Sequence, residues 1–253
     1  MTFKQYIINR KRPILNIYFT AGFPGINSMP DILEGLSEAG VDMVEIGIPF
    51  SDPVSDGQTI QSSNSTAINN GITTELIFQQ LALHNTDIPK VIMGYFNSVL
   101  QYGVDEFCEQ CALNRIHGVI LPDLPPDIYI EKYQEKFLSH GISAIFLVTP
   151  ETSDDRIRYI DSLSNAFIYA VSSSSTTGKG ADIRSSEAYL SRLKKMNLDN
   201  PVLVGFSIKN KSDYEFVCSY TAGAIIGSAF INNIKDSKNL KEDIKSFVKS
   251  IRD

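Results

Sequence analysis

The sequence predicts an α/β fold in which eight parallel strands alternate with helices and close into a barrel. Short apolar runs alternate with amphipathic runs along the whole chain. No linker, low-complexity tract or charge block separates one unit from the next. The 253 residues, 43% of them hydrophobic, are enough to bury one large core. We therefore expect a single (β/α)8 TIM barrel domain over residues 1–253, with a short leading helix.

The predicted strands follow the apolar runs in order, and the second of them is the strand that contains Glu45. The other seven are residues 14–20, 90–95, 117–121, 142–148, 167–172, 201–206 and 224–227.

The predicted helices fill the segments between these strands. Asn27 or Ser28 can cap the helix that runs to Ala39, and Gly40 can end it. The remaining helices are predicted near residues 2–11, 59–69, 75–84, 105–114, 126–140, 154–163, 186–196, 212–220, 228 onward and 238–251.

Composition excludes several classes of protein. The net charge of −6 argues against a nucleic-acid groove, and no apolar run approaches the roughly 20 residues of a membrane span. The N-terminus lacks the apolar core of a signal peptide, and three cysteines suit a reducing cytoplasm. A doubly wound open sheet is the competing fold, but no G-x-G-x-x-G follows the first strand.

The stretch DMVEIGIPFSDPVSDGQTIQ begins as the second strand and ends in a helix. Strand side chains alternate, so Glu45 points away from the aliphatic face of Val44, Ile46 and Ile48 and into the space that the sheet encloses. Asp56 follows in the loop at the C-terminal end of the same strand. The two carboxylates form a candidate acid/base pair at the end of a barrel where active sites lie.

The turns after strands seven and eight predict a phosphate site. Gly227–Ser228 opens a short helix, and backbone N–H groups at a helix N-terminus bind anions. Gly178 and Gly180, in the loop after the sixth strand, could add further amides. The alternative is that these glycines only permit tight turns.

The run EIGIPFSDPVSDGQTIQ resembles the signature of the tryptophan synthase α subunit family, E-[LIV]-G-x-P-[FY]-S-D-P-x-x-D-G-x-x-I-Q. Further segments resemble the family along essentially the whole chain: IYFTAGFP, GYFN, LPDLP, STTG and the final GS. The resemblance implies cleavage of indole-3-glycerol phosphate to indole and glyceraldehyde 3-phosphate. It also implies a pyridoxal-phosphate-dependent β subunit partner in an αββα heterotetramer.

The resemblance also implies roles for individual residues. Thr177 matches a loop threonine that closes over the site and holds Asp56, and Asp52 and Pro53 fall in the loop that faces the β subunit. The residues that match the family's indole pocket are Tyr18, Tyr95, Tyr169 and Phe206. The residues that match its phosphate cradle are Gly178, Ser207, Gly227 and Ser228.

Two positions depart from the family pattern. Ser207 stands where glycine usually follows the phenylalanine after strand seven, and Ser175 stands where glycine is commoner in the sixth loop. A backbone amide at Ser207 can still bind phosphate.

A retro-aldol reaction needs an acid for the ring carbon, a base for the side-chain hydroxyl and an acceptor for the indole N–H. A buried Glu45 can stay protonated and give up its proton, and can then take one from the hydroxyl. Asp56, on a wetter loop, is expected to remain ionised and to accept the indole N–H. Neither a metal nor an organic cofactor is required.

Two other functions fit parts of this pattern. Another phosphosugar barrel enzyme, such as an indole-glycerol phosphate synthase or an isomerase, would be expected to use a Lys or Cys acid. A non-catalytic subunit could only activate a β partner, although intact Glu45 and Asp56 argue against this. Cys108 and Cys111 have CxxC spacing on a predicted helix, where packing is the expected role. The dispersed histidines predict no metal site.

Overall fold

The computed structural model describes residues 1–54, 56–84, 86–172 and 182–253. Its strands form one sheet in which every neighbouring pair is parallel. The strands are β1 (Ile14–Thr20), β2 (Met43–Gly47), β3 (Lys90–Met93), β4 (Ile116–Ile120), β5 (Ser143–Ile145), β6 (Leu147–Val148), β7 (Ile168–Val171), β8 (Val202–Gly205) and β9 (Gly223–Ile226).

The sheet closes on itself. Its order is β5-β4-β3-β2-β1-β9-β8-β7-β6, and the two strands at its ends are separated in the chain only by Phe146. β5 pairs with β4, and β6 pairs with β7. Together β5 and β6 are the predicted fifth strand, interrupted at one residue, so the predicted (β/α)8 barrel is confirmed.

Helices cover the outside of the barrel, with a π-helical turn at Tyr129–Tyr133 and a 3-10 turn at Ile183–Ser186. The α-helices are α1 (Phe3–Ile8), α2 (Met29–Glu38), α3 (Gln58–Asn69), α4 (Thr74–Leu83), α5 (Phe96–Tyr102), α6 (Val104–Leu113), α7 (Pro126–Ile128), α8 (Gln134–Ser139), α9 (Asp154–Leu163), α10 (Glu187–Lys195), α11 (Lys211–Cys218), α12 (Ser228–Ile234) and α13 (Leu240–Arg252).

Helix α5 is absent from the sequence prediction, which extends the third strand to Tyr95 and places the next helix at residue 105. The strand ends at Met93, and a helix begins at once at Phe96. Gly103 separates α5 from α6, with a φ of 102° that other residues rarely adopt. The predicted helix near residues 105–114 is therefore α6, and α5 is an additional helix joined to it by a glycine.

The side chains of the strands divide into two buried clusters. Met43 and Val91 belong to the cluster inside the barrel. Val44 and Ile46 belong to the larger cluster between the barrel and its helices. This is the division that alternation along the second strand predicts, and it directs Glu45 inward.

Helix α1 covers the N-terminal end of the barrel, because Phe3 and Ile7 join the inner cluster. The buried carboxylate of Asp42 holds both ends of the chain there: it pairs with Arg10 and Arg252 and accepts a 2.9 Å hydrogen bond from the Leu15 amide. The C-terminal ends of the strands are therefore the ends available for a site.

Cys108 and Cys111 lie buried on α6 as free thiols, and burial raises the pKa of Cys108 to about 11. A thiol with such a pKa is a poor nucleophile at neutral pH. Within the described ranges, no helix is both long enough and apolar enough to cross a membrane.

Candidate active site

A cavity that is open to solvent lies at the C-terminal ends of the strands, and the space in and around it is about 480 Å³. It brings together side chains and turns from β1, β7, the loop after β2 and the turns after β8 and β9. The predicted site residues that line it are Tyr18, Asp56, Tyr169, Phe206, Gly227 and Ser228.

Glu45 lies on β2 beside Tyr18, its register partner on β1, and its side chain is fully buried. It is next to the cavity wall but is not one of the residues that line it. Burial raises the pKa of Glu45 to about 8, and a hydrogen bond from Asn16 opposes that rise. A carboxyl group with this pKa carries its proton at neutral pH, as a general acid must.

Asp56 lies in the loop between β2 and α3 and reaches the cavity directly. Its carboxylate accepts a hydrogen bond from Asn64 on α3, at 3.5 Å. Burial raises the pKa of Asp56 to about 6, against the effect of Asn64. The loop therefore shields Asp56 more than the sequence suggests, yet the group is still mostly ionised at pH 7.

Tyr18 and Tyr169 form two walls of the cavity, and each packs across a glycine of the next strand. A Cβ on Gly47 would lie 2.2 Å from the Tyr18 hydroxyl oxygen, and a Cβ on Gly205 would lie 2.1 Å from that of Tyr169. Real Cβ contacts are never so short, so both rings depend on glycine in the neighbouring strand.

Tyr95 does not line the main cavity. It lines a smaller adjoining cavity that also touches Tyr18, Asp56 and Asn64. Its ring stacks on Phe50, with 4.6 Å between ring centroids.

The two turns of the predicted phosphate cradle differ in conformation. Phe206 and Ser207 have φ values of 72° and 60°, in the left-handed region where glycine is favoured. The Ser172 hydroxyl, directly after β7, donates a 2.9 Å hydrogen bond to the Phe206 carbonyl. In the other turn, Gly227 precedes α12, whose first backbone N–H groups have no acceptor within the helix.

Other predicted residues lie away from the cavity or outside the described residues. Thr177 and Gly178 fall within residues 173–181, outside the described ranges. Asp52 is exposed, whereas Pro53 is buried and so presents little surface.

Several residues at the site escape sequence analysis. Asn16 and Asn64 donate hydrogen bonds to the two carboxyl groups, and both are buried polar residues. Met93 and Ile225 line the cavity, but in the sequence they are apolar strand residues that cannot be told from the rest of the barrel core. Ile225 has one usable signal, since it lies near the end of β9, two residues before Gly227 in the turn that follows. The described residues contain no group of three or more metal-ligating side chains.

Comparison with known sequences gives one family. A family model described as "Tryptophan synthase alpha chain" matches residues 4–252. The tryptophan synthase alpha chain of Flavobacterium psychrophilum is 49% identical over 251 residues, which cover 96% of this chain and 98% of that protein. The one from Karelsulcia muelleri is 45% identical and covers 98% of both chains.

Comparison with solved structures agrees. Tryptophan synthase subunit alpha from Legionella pneumophila superposes with a TM-score of 0.87 at 30% identity, covering 100% of this chain and 97% of that one. A chain of the aminoacrylate-bound tryptophan synthase of M. tuberculosis gives 0.85 at 25% identity, covering 98% and 97%.

Proposed function

Because this chain belongs to the tryptophan synthase alpha chain family, and so cleaves indole-3-glycerol phosphate in tryptophan biosynthesis, we propose that Glu45 and Asp56 carry out the reaction. The observation that supports this most strongly is that the two carboxyl groups differ in burial and therefore in pKa. Full burial gives Glu45 a pKa of about 8, while half-buried Asp56 has a pKa of about 6. Between these values one group is an acid and the other a carboxylate.

The first step is protonation of C3 of the indole ring by Glu45. The C2–C3 electron pair takes the proton, which leaves the positive charge on the ring nitrogen. Asp56 accepts the N–H hydrogen bond and stabilises that charge, as an ionised group in a shielded site can do strongly.

The second step breaks the bond between C3 and the side chain. Glu45, now a carboxylate, takes the proton of the adjacent hydroxyl. The O–H electron pair forms the aldehyde of glyceraldehyde 3-phosphate, and the pair from the broken bond restores the aromatic C2–C3 bond of indole. Glu45 ends the cycle protonated, so the step is balanced without another reactant.

The aromatic walls would hold the indole and exclude water. Tyr18 and Tyr169 are both buried, and Phe206 meets Tyr169 edge to face with 6.5 Å between ring centroids. Aromatic rings favour such offset contacts, so a flat indole fits among them. Tyr95 would contact the same ring from the adjoining cavity.

The substrate phosphate would lie at the turns after β8 and β9. Gly227 and Ser228 line the cavity at the start of α12, and Ser207 lies in the facing turn. Backbone N–H groups can bind an anion at both places. By resemblance, Gly178 would contribute to this cradle and Thr177 would close over Asp56.

Membership of this family gives the chain the tryptophan synthase β subunit as its partner. We propose that the two subunits assemble as an αββα heterotetramer in the cytoplasm. Exposed Asp52 belongs to the same loop as Asp56, so a partner that contacts this loop can move the carboxylate. Buried Pro53 would fix the backbone between them.

The dependence of kcat/KM on pH tests the acid/base assignment. We expect a bell-shaped profile with an alkaline limb near pH 8, where Glu45 loses its proton, and an acid limb near pH 6, where Asp56 gains one. The substrate phosphate also titrates near pH ~6. Asp56→Asn separates the two sources, because an acid limb that persists in this variant belongs to the substrate. An alkaline limb absent below pH ~10 would reject Glu45 as the acid.

A further inference from the structure

We propose that Asn16 is the positioning residue of Glu45: its side-chain amide holds one carboxyl oxygen, Oε1, and leaves Oε2 to exchange the proton with the substrate. This inference rests on the proposed role of Glu45 as the acid. It assigns a function to a residue that is not among those lining the main cavity or the smaller adjoining one.

The strand register brings the two side chains together. Asn16 lies two residues before Tyr18 on β1, and Tyr18 is the register partner of Glu45 on β2. Asn16 therefore points inward on the same face as Tyr18. Its Nδ2 donates a 2.5 Å hydrogen bond to Glu45 Oε1, and both residues are fully buried.

The hydrogen bond determines which oxygen carries the proton. Oε1 accepts from the amide, so in the neutral acid the proton lies on Oε2. Within the described part of the chain, Glu45 Oε2 is buried and has no hydrogen-bond partner. A lone buried hydroxyl of this kind is costly unless another group comes to it, and the substrate is that group.

An amide also suits a group that must lose and regain its proton. Its N–H can donate to the carboxylate, and its carbonyl can accept from the acid after a rotation of the side chain. Asn16 Oδ1 has no partner within the described residues, so it is available for the second role. A purely apolar or purely cationic neighbour could stabilise only one of the two states.

The contact also sets the acidity of Glu45. A donor favours the ionised form, whereas burial favours the neutral form, and the pKa of about 8 is the balance of the two. The ionisable groups that interact with Glu45 are Tyr18 on β1 and Tyr169 on β7, and both of these tyrosines also interact with Asp56 in the loop after β2. Removing the Asn16 donor should therefore raise the pKa of Glu45 further.

Asn16→Leu tests this inference, since leucine has a similar size and no donor. We expect the alkaline limb of kcat/KM to move up by about one pH unit and kcat to fall about tenfold, with KM little changed. Ser63→Ala is the matched control, because Ser63 is equally buried and bonds to Thr20 rather than to Glu45. Its alkaline limb should stay at the wild-type pH.

An alkaline limb that stays at the wild-type pH in Asn16→Leu would overturn the inference, even if kcat fell. If Asn16→Leu does not fold, Asn16→Asp replaces it with the same shape. Two carboxyls in contact share a proton, so its upper limb should move above that of the wild type, and an unchanged limb would again overturn the inference. Glu45→Gln distinguishes failure of this inference from failure of the proposed function. If Glu45→Gln is active, the proposed function is wrong. If Glu45→Gln is inactive and the alkaline limb of Asn16→Leu is unshifted, only the role of Asn16 is rejected.

Discussion

Glu45→Gln should lower kcat for cleavage of indole-3-glycerol phosphate by ~10²–10⁴-fold, the usual contribution of a general acid or base. Glutamine keeps the shape of the neutral acid, and its amide can still bond to Asn16. It cannot supply a proton to C3 or take one from the hydroxyl. The variant should therefore fold and bind substrate normally while releasing almost no indole.

Binding and folding controls make this result specific. Substrate affinity, measured by calorimetry, should stay within about threefold of wild type, because glutamine keeps the size and polarity of the neutral acid and only the proton transfer in the transition state is lost. Glu38→Gln, at an exposed position on α2, is the matched control and should keep full activity. More than a tenth of wild-type kcat in Glu45→Gln would reject the proposed role.

Gly47→Ala should both destabilise the barrel and disable the site. Its Cβ would lie 2.2 Å from the Tyr18 hydroxyl oxygen and 2.6 Å from Cζ, so the ring must move. Overpacking of this kind costs about 1–3 kcal/mol of the free energy of unfolding. Since Tyr18 forms a wall of the cavity, we expect kcat/KM to fall by about 10²-fold, the usual effect of a misplacement near 1 Å.

A double-mutant cycle attributes the cost to that contact. In a Tyr18→Ala background the ring is gone, so Gly47→Ala should have almost no effect on the free energy of unfolding, measured by urea denaturation. Gly25→Ala is a control glycine whose Cβ would meet only the Ser28 hydroxyl, at 3.3 Å. An equal cost of Gly47→Ala in both backgrounds would mean that the backbone, and not Tyr18, requires glycine.

Much of the fold is predictable because the period of a strand is two. Alternation alone places Glu45 inside the barrel. Eight successive strand–helix units, with no G-x-G-x-x-G after the first strand, predict closure. Helix α5 escapes prediction because GYFN continues the apolar strand before it, and only the conformation of Gly103 separates α5 from α6. Local sequence cannot reveal where a strand stops pairing with its neighbours.

The site is predictable only in part. The motif identifies Glu45 and Asp56, but the register between β1 and β2 decides which carboxyl Asn16 meets. The shielding of Asp56 depends on tertiary packing, which raises its pKa against the effect of the Asn64 hydrogen bond, and so exceeds what its loop composition suggests. Ser207 adopts a left-handed φ although it is not glycine, because the turn after β8 imposes that conformation.

The protonation state of Glu45 is the most direct test of its role as the acid. A titration of the protein labelled with 13C at its glutamate carboxyls, followed by NMR, gives the pKa of Glu45 once its signal is assigned by its loss in Glu45→Gln. We predict a midpoint near 8, so that most molecules carry the proton at pH 7. A midpoint near the ordinary glutamate value of about 4.3 would contradict it, because a carboxylate has no proton to deliver to C3.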